Sequence, residues 1–346
     1  MPLLEEAQKA ASLLREHAYV RILAREEGDA FCAAAVLGQA LRREGIDFHV
    51  SWAPHLDAAL GTAIAEESND ALVLVGLGGD AEGATPFAAR RVVLDRDPRG
   101  LDADAVLAAD GDPPSLAALA HVLAVALSPR NEDLAVLALA GALARRAHVH
   151  HGLAGLDAAL ADDAQRSGLL ARDVALGLRG PTLLAALSSL DEPAVPGVTG
   201  RARNVKKLVA DLGLVAESPP GTLPPEDAER LGSVLVLKLL QHGAGDAALD
   251  ALLRPRIRAH RGPHTGMDAA DLAWLAESAA ALGKGGLAFA ALWPDEAALD
   301  ELREAAHALR EEMVAALLKA EREARREGRL TLVDAPRAAL AATRAP

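Results

Sequence analysis

The chain has 346 residues, which is enough for two modest domains with a sizeable core. Its net charge of −13 argues against a protein held on DNA mainly by its own field, because basic residues that neutralise phosphates supply most non-specific affinity. Aromatic residues are only 2% of the chain, so alanine, leucine and valine must build the core, and the abundant alanine favours a helix-rich protein.

The composition also predicts where the protein resides. A single cysteine, Cys32, excludes an intrachain disulfide framework and fits a reducing compartment. No apolar run approaches the length of a membrane span, and residues 1–18 are charged and amphipathic, unlike a signal peptide. We therefore expect a cytoplasmic protein with no membrane partner.

The first half of the chain alternates helical and apolar extended segments. The pattern predicts helices at 3–17, 30–44, 57–67, 115–128 and 133–147, and strands at 19–24, 47–53, 71–78 and 90–97. Strands that alternate with helices, some of them apolar throughout, are typical of a parallel sheet covered on both faces.

Proline and glycine become frequent in the second half of the chain. Here we predict a loop at 190–201, a short helix at 202–214, a connector with a helix at 218–243, a helix at 267–286, a strand at 287–293 and a charged helix at 295–327. The predicted fold is α/β. It has a parallel sheet with helices on both faces in residues 1–190, a helical connector in 191–250 and a second α/β lobe in 251–346.

Polar residues and glycines follow three of the predicted strands, at 25–30, 76–80 and 95–98. The carboxyl ends of parallel strands meet at one edge of an open sheet, where functional groups gather. A metal-dependent phosphoesterase needs carboxylates and imidazoles at such an edge, because hard cations must be held and one must activate water.

These segments resemble the motifs of the DHH phosphoesterase superfamily, in particular the archaeal RecJ-like nucleases. Those nucleases are relatives of the eukaryotic cell-division-cycle protein that joins MCM and GINS in the replicative helicase. The family's first motif is His-x-Asp-x-Asp-Gly after a strand, and residues 24–31, AREEGDAF, occupy its place. Arg25 stands for the histidine, Glu27 and Asp29 stand for the aspartates, and Ala30 stands for the glycine.

The other three motifs are altered as well. In the second, Gly76 stands where the family has a carboxylate. In the third, Asp-His-His-Pro, Asp95 is kept, while Arg96 and Asp97 replace the histidines. In the fourth, Gly-Ala-x-Gly-Asp, Arg145 replaces the aspartate.

The resemblance continues along nearly the whole chain. Residues 178–200 are similar to the segment that joins the two lobes of the family, and residues 267–313 are similar to the start of its second domain. The Asn-Ala-x-Gly-Arg signature is replaced at 277–281, and the later Gly-Gly-His stretch is absent. The resemblance therefore implies a DHH-like domain in 1–190 and a truncated second lobe in 251–346.

The substitutions predict a converted site. A guanidinium is permanently charged and repels a metal, so arginines at histidine positions work against a two-metal centre. We expect the arginines to hold the carboxylates as an ion-pair cluster, with no metal, no cofactor and no catalytic residue. The predicted cluster consists of Arg25, Arg96 and Arg145 with Glu27, Asp29, Asp95 and Asp97.

The resemblance then implies a function, with two alternatives. The leading hypothesis is an inactive scaffold of archaeal DNA replication that binds GINS and, through it, the MCM helicase. One alternative is a residual metal-dependent single-strand exonuclease or phosphoesterase. The other is an inactive regulatory subunit of an active RecJ-like paralogue.

Several further segments have two interpretations. The histidines of HVHH, at 148–151, fit a polar loop better than a metal site, because structural zinc sites want sulfur or a second distant pair of ligands. The glycines at 76–79 lack the third glycine of a dinucleotide loop. The basic clusters at 201–207 and 254–261 are solvated loops or contacts for single-stranded DNA or an acidic partner. The second cluster contains Arg254, Arg256, Arg258 and Arg261.

Overall fold

A computed structural model describes residues 2–67, 69–78, 90–97, 103–108, 112–146, 152–323, 325–327 and 330–332. Contacts group the chain into two compact units. Unit 1 comprises Met1–Arg172 and Ile257–Leu302, and unit 2 comprises Asp173–Arg256 and Arg303–Pro346. The domain limits drawn from the sequence stay predictions.

The strands form one large sheet and two small ones. They are β1 (Tyr19–Arg25), β2 (Asp47–Ala53), β3 (Ala71–Val75), β4 (Arg90–Leu94), β5 (Ala105–Leu107), β6 (Leu170–Leu176), β7 (Leu253–Ala259), β8 (Arg325–Glu327) and β9 (Leu330–Leu332). The large sheet lies in unit 1, has the order β2-β1-β3-β4-β5, and is parallel throughout. Strands β6 and β7 pair with each other, as do β8 and β9.

Helices account for most of the remaining described chain. They are α1 (Pro2–Arg15), α2 (Gly28–Arg43), α3 (Ala58–Glu66), α4 (Leu116–Leu127), α5 (Ala135–Ala144), α6 (Gly155–Arg166), α7 (Leu183–Ser188), α8 (Ala202–Asp211), α9 (Pro225–Gln241), α10 (Asp246–Leu252), α11 (Ala269–Leu282), α12 (Gly285–Leu292) and α13 (Glu296–Glu323). Within the described residues, none of these helices is long and apolar enough to cross a membrane.

The large sheet is covered on both faces. On one face, Ile64 of α3 packs with Leu72 and Leu74 of β3 and with Leu23 of β1. Successive strand residues point to opposite faces, and the residues that alternate with these, such as Ile22, Val73 and Leu94, are also fully buried. The second face is therefore covered as well, and helices α2 and α4 contact β1, β3 and β4. The predicted α/β fold with a helix-covered parallel sheet is confirmed.

One predicted strand is wrong. Residues 287–293 lie mainly in helix α12, because an apolar run alone does not distinguish a buried helix from a strand. Phe289 of this helix and Trp293, which follows it, contact the ring of Phe48 in β2, with ring centroids 6.2 Å and 5.7 Å from it. The aromatic residues of unit 1 thus fasten α12 beside β2.

Unit 2 has a core of a different composition. Its core cluster consists of leucines and valines, among them Leu187 of α7, Val205 of α8 and Leu235 of α9. Neither sequence segment of this unit, 173–256 or 303–346, contains an aromatic residue.

Candidate functional site

The motif residues meet at the carboxyl end of the large sheet, in unit 1. Arg25 ends β1, Gly76 directly follows β3, and Asp95 directly follows β4. Asp29 lies in the first turn of α2, which begins three residues after β1 ends. The parallel sheet therefore brings the first three motifs to one edge, as the sequence predicted.

Asp29 is the most enclosed of these carboxylates, with 2% of the residue exposed. Its Oδ2 accepts the backbone N–H of Leu116 at 2.8 Å, and its Oδ1 accepts that of Ala117 at 3.0 Å. Both amides belong to the first turn of α4, where the helix has unsatisfied N–H groups and a partial positive charge. The carboxylate of Asp29 thus binds the N-terminus of another helix.

A second buried carboxylate completes this helix start. Asp157 of α6 accepts the backbone N–H of Ser115 at 3.1 Å and its hydroxyl at 2.6 Å. The Ser115 hydroxyl in turn accepts the N–H of Ala118 at 3.0 Å, as an N-cap does. Burial raises the pKa of Asp157, against the lowering effect of its hydrogen bonds to Ser115. The first amides of α4 are therefore all bound by side chains.

Arg96 forms the predicted ion pairs with two motif carboxylates. Its Nη2 lies 2.5 Å from Oδ2 of Asp29 and 2.9 Å from Oε1 of Glu27. Burial disfavours the charged guanidinium, but the carboxylates of Asp29 and Glu27 outweigh this effect and raise the pKa of Arg96. Arg96 therefore remains positive at every accessible pH and neutralises charge at a position where the family has histidine.

Asp95 is held by backbone amides rather than by an arginine. Its Oδ2 accepts the N–H of Gly78 at 2.5 Å, and its Oδ1 accepts the N–H of Asp97 at 3.1 Å. A Cβ atom at position 78 would lie 2.9 Å from Oδ2 of Asp95, so glycine is what lets the turn close on the carboxylate. Asp97 itself is exposed.

Gly76, where the resemblance expects a carboxylate, is crowded and has a backbone conformation that favours glycine. A Cβ atom there would lie 2.7 Å from Cδ1 of Leu116, which is closer than real Cβ contacts occur. The backbone of Gly76 also has a φ of +70°, a conformation that residues with side chains rarely adopt. Leu116 and the stem of Arg25 occupy the space beside it.

The other two arginines bind backbone carbonyls. Arg25 donates from Nε to the carbonyl of Gly76 at 2.6 Å and from Nη1 to the carbonyl of Pro54 at 2.8 Å. Arg145 donates to the carbonyl of Pro113, and the carboxylate on which its charge acts is Asp157. The predicted ion pair of Arg145 with a motif carboxylate is wrong, because Arg145, the residue that caps the end of α5, donates to the carbonyl of Pro113 instead.

A pair of divalent cations does not fit this arrangement. The oxygens of Asp29 and Asp95 already accept hydrogen bonds from amides, and Asp29 also accepts one from Arg96. A metal at these oxygens would have to displace those donors and lie beside a guanidinium. Within the described residues, no group of three or more His, Cys, Asp or Glu side chains is placed to hold a metal ion.

Sequence reasoning missed Asp157, Ser115 and Gly141. A Cβ atom on Gly141 would lie 2.6 Å from Oδ1 of Asp29, so this glycine makes room for the carboxylate. The serine before the apolar run of α4 is a usual N-cap pattern and could have been found. Asp157 lies 42 residues away from its partner Ser115, and the sequence carries no local pattern that joins them.

The basic cluster at 254–261 is divided by the fold. Arg254 is largely buried in unit 2 and donates to the carbonyl of Glu192 at 3.1 Å, and Arg256 pairs with Asp173 of β6. Burial, with the charge of neighbouring arginines, lowers the pKa of Arg254 to about 9. Arg258 and Arg261 are exposed. Within this cluster, Arg258 and Arg261 remain candidate contacts for a nucleic acid or an acidic partner. In the other basic cluster, at 201–207, Arg201, Arg203, Lys206 and Lys207 are all exposed and remain candidates as well.

The remaining candidates are readily placed. Cys32 is fully buried in α2, and burial, with the nearby Asp29 and Glu277, raises the pKa of its thiol. His49 is exposed in β2. The histidines at 148–151 and the glycine at 79 lie outside the described residues.

Comparison with known proteins identifies solved structures that share this fold. No family model and no curated protein matches the chain. Its structure has the fold shared by Cdc45 and RecJ exonucleases, which confirms at the level of the fold the DHH-type resemblance drawn from the motifs.

Three solved structures illustrate the likeness. Cdc45 from Entamoeba histolytica has a TM-score of 0.64 and 15% identity, over 91% of this chain and 74% of that protein. Exonuclease RecJ bound to manganese has a TM-score of 0.52 and 16% identity, over 94% and 70%. RecJ from Thermus thermophilus in complex with Mn²⁺ has a TM-score of 0.51 and 18% identity, over 93% and 40%.

Proposed function

We propose that the protein is a non-catalytic, RecJ-like scaffold of DNA replication that binds a GINS-type subunit and, through it, the MCM helicase. One observation carries the non-catalytic part. The carboxylates of Asp29 and Asp95, which the family motifs would assign to metals, are bound by backbone amides and by Arg96.

The hydrogen bonds of Asp29 and Asp95 oppose the binding of a metal ion. Hydrogen bonds to a charged group contribute about 1.5–3 kcal/mol each, and a buried partner left unmatched costs more. A metal would have to break several of them at Asp29 and Asp95 and would gain no ligand from Gly76, Arg25 or Arg96. A residual exonuclease that uses these carboxylates is therefore disfavoured by the geometry of their donors.

The partner assignment rests on similarity and on charge. The TM-score to Cdc45, 0.64, exceeds the 0.52 to manganese-bound RecJ, and the RecJ-like resemblance implies relatives that join GINS and MCM. A net charge of −13 favours protein over nucleic acid as the partner. We expect an interface of standard size, about 1,600 Å² in total.

Two experiments test the two halves of this proposal separately. The purified chain should not degrade single-stranded DNA or RNA with manganese or magnesium. Degradation that disappears in an Asp29→Ala, Asp95→Ala double variant would overturn the non-catalytic assignment. Size-exclusion chromatography with purified GINS, free of nucleic acid, should show one stable complex, and separate elution at micromolar concentration would contradict the partner assignment.

A third outcome concerns the remaining alternative. A regulatory subunit of an active RecJ-like paralogue would also be inactive, so nuclease assays do not separate it from a scaffold. A pull-down from native extract does, because the scaffold should recover GINS subunits, whereas the regulatory subunit should recover a RecJ-like nuclease.

A further inference from the structure

Helix α8 of unit 2 presents basic side chains to solvent. Arg203, Lys206 and Lys207 are exposed, as is Arg201 at the N-cap of the helix. Val205 is fully buried in the core of unit 2. With about 3.6 residues per turn, Arg203 and Lys207 lie nearly opposite Val205, and Lys206 lies beside them. Arg203, Lys206 and Lys207 together form the cationic face of α8.

Within the described part of the chain, the cationic face has no acidic partner. Its three side chains form no ion pair and no hydrogen bond with the residues that the structure describes, and residues 193–210 contain no aspartate or glutamate. Arg166 of α6 and Lys319 of α13, by contrast, each pair with a carboxylate about one turn away. The cationic face is therefore a surface of one sign on a chain whose net charge is −13.

The stability of α8 does not account for this arrangement. Lys206 and Lys207 lie three and four residues after Arg203, so like charges repel one another within one turn of the helix. Arg203 also lies in the first turn, where the helix dipole favours carboxylates, and α8 has no acidic residue there. A solvated helix face normally mixes the two signs of charge. The cations therefore weaken α8 itself, which indicates a use outside the helix.

The spacing of the cations fits an extended acidic peptide. Residues four apart on a helix, such as Arg203 and Lys207, are separated by about 6 Å along the helix axis. In an extended chain, side chains two residues apart point to the same side and lie about 6.6 Å apart. Acidic residues at alternate positions of an extended peptide therefore match Arg203 and Lys207, and Lys206 lies beside them to bind a further carboxylate.

Single-stranded nucleic acid is the other polyanion to weigh against a peptide. Proteins that bind single strands combine a positively charged groove with aromatic side chains on which the bases stack. Neither segment of unit 2, 173–256 or 303–346, contains an aromatic residue, and the net charge of −13 opposes a long polyanion. An acidic peptide needs no stacking surface, so these observations favour a peptide as the ligand.

We propose that the cationic face of α8 binds an extended acidic segment of a protein partner. Carboxylates of the segment accept hydrogen bonds from the guanidinium of Arg203 and the ammonium groups of Lys206 and Lys207. Exposed charge pairs are individually weak and are screened by salt. We therefore expect a dissociation constant on the order of 100 µM at low salt. The inference goes beyond the proposed function, and its test does not involve GINS.

Fluorescence anisotropy of the full chain with a labelled peptide of alternating glutamate and serine tests the site at about 20 mM salt. The triple variant Arg203→Gln, Lys206→Gln, Lys207→Gln removes the charges but keeps good helix formers, and it should bind the peptide at least about tenfold more weakly. The control variant Lys9→Gln, Arg166→Gln, Lys319→Gln removes the same total charge from exposed, paired cations of other helices. It should change the affinity by less than about twofold.

Two further measurements separate this site from the alternatives. Because the triple variant at α8 relieves like-charge repulsion, it should unfold in urea at the same or a higher concentration than the wild type, followed by circular dichroism. Earlier unfolding would assign the cations a structural role and overturn the proposal. An equal loss of affinity in both triple variants would overturn it too, since the attraction would then follow net charge alone. Tighter binding of a labelled oligothymidylate of equal charge, lost in the α8 variant, would assign the face to nucleic acid instead.

Discussion

Replacing Arg96 with methionine is the most direct test of the converted site. Methionine keeps much of the stem but removes the charge from two carboxylates. Asp29 is 2% exposed, so the lost bond is a buried, charge-assisted one, for which about 1.5–3 kcal/mol is expected. The Glu27 side chain is 34% exposed, so its pair adds at most about 1 kcal/mol.

The expected loss for Arg96→Met is therefore about 2–4 kcal/mol in the free energy of unfolding. Breaking a fully buried ion pair costs about 3–5 kcal/mol, but Asp29 here keeps the amides of Leu116 and Ala117. That residual solvation is why the estimate lies below the full range. Arg96→Lys, which keeps a point charge but not the planar fork, should lose less.

The assay is urea unfolding followed by tryptophan fluorescence. All three tryptophans, Trp52, Trp274 and Trp293, belong to unit 1, so the signal reports the unit that contains the site. Arg166→Met is the matched control, because Arg166 forms an exposed ion pair with Asp163 within α6 of the same unit. That control should change stability by less than about 0.5 kcal/mol.

A double-mutant cycle identifies the interaction itself. Asp29→Asn removes the negative charge, and its amide group also opposes one of the helix N–H donors. If Arg96 acts through Asp29, the two substitutions together should cost less than their sum by at least about 1 kcal/mol. An Arg96→Met variant within about 0.5 kcal/mol of the wild type, or additive losses, would refute the reasoning.

Three further predictions follow from other contacts. Gly76→Asp should lower the free energy of unfolding by at least about 2 kcal/mol, because its side chain overlaps Leu116 and its φ is positive. It should also restore no manganese-dependent nuclease activity. A variant that is both stable and active would contradict this prediction. Burial lowers the pKa of His121 to about 4, below its value of about 6.5 in the unfolded chain. As the pH falls, the unfolded state therefore binds a proton first, and the free energy of unfolding decreases between these two pH values. His121→Leu should flatten that part of the stability–pH curve, measured by urea unfolding at several pH values, and an unchanged slope would contradict it. Binding to labelled single-stranded DNA, measured by anisotropy, should be weak and fall with salt. The double variant Arg258→Ser, Arg261→Ser should reduce the slope of log affinity against log salt concentration by about 0.7 for each lost phosphate contact. Nanomolar affinity at physiological salt would instead make this a nucleic-acid-binding module.

The sheet could be predicted because its information is local. β1, β2 and β3 are short apolar or alternating runs between helical segments, and the residues after them belong to motifs with fixed spacing. Helix α12 could not be predicted as a helix, because its apolar run is compatible with either structure until Phe289 and Trp293 pack beside β2.

Some contacts of the site could likewise be predicted from the sequence, and others could not. The motif substitutions predicted a cluster of three arginines with four carboxylates at one edge of the sheet, and the pairs of Arg96 with Glu27 and Asp29 are part of it. They did not predict that Arg145 binds the carbonyl of Pro113, since that depends on where α5 ends. The amides of α4 are 87 and 88 residues from Asp29, and only the packed helices bring them together.

The N-terminus of α4 adds to the positive charge around Asp29. Metal ions would supply positive charge to these carboxylates, and here Arg96 and the start of α4 supply it to Asp29. A helix N-terminus carries about half a unit charge, and its N–H groups need acceptors in any case. The carboxylate therefore satisfies two requirements at once, since it receives the charge of Arg96 and binds orphan amides of α4.

Asp29 connects several elements of unit 1. It joins the start of α2, which carries the residue, to β4 through Arg96 and to α4 through Leu116 and Ala117. A buried ion pair need not stabilise a fold relative to apolar residues of similar volume, so stability alone does not account for these groups. Their geometry instead fixes how α2, α4 and the end of the sheet meet.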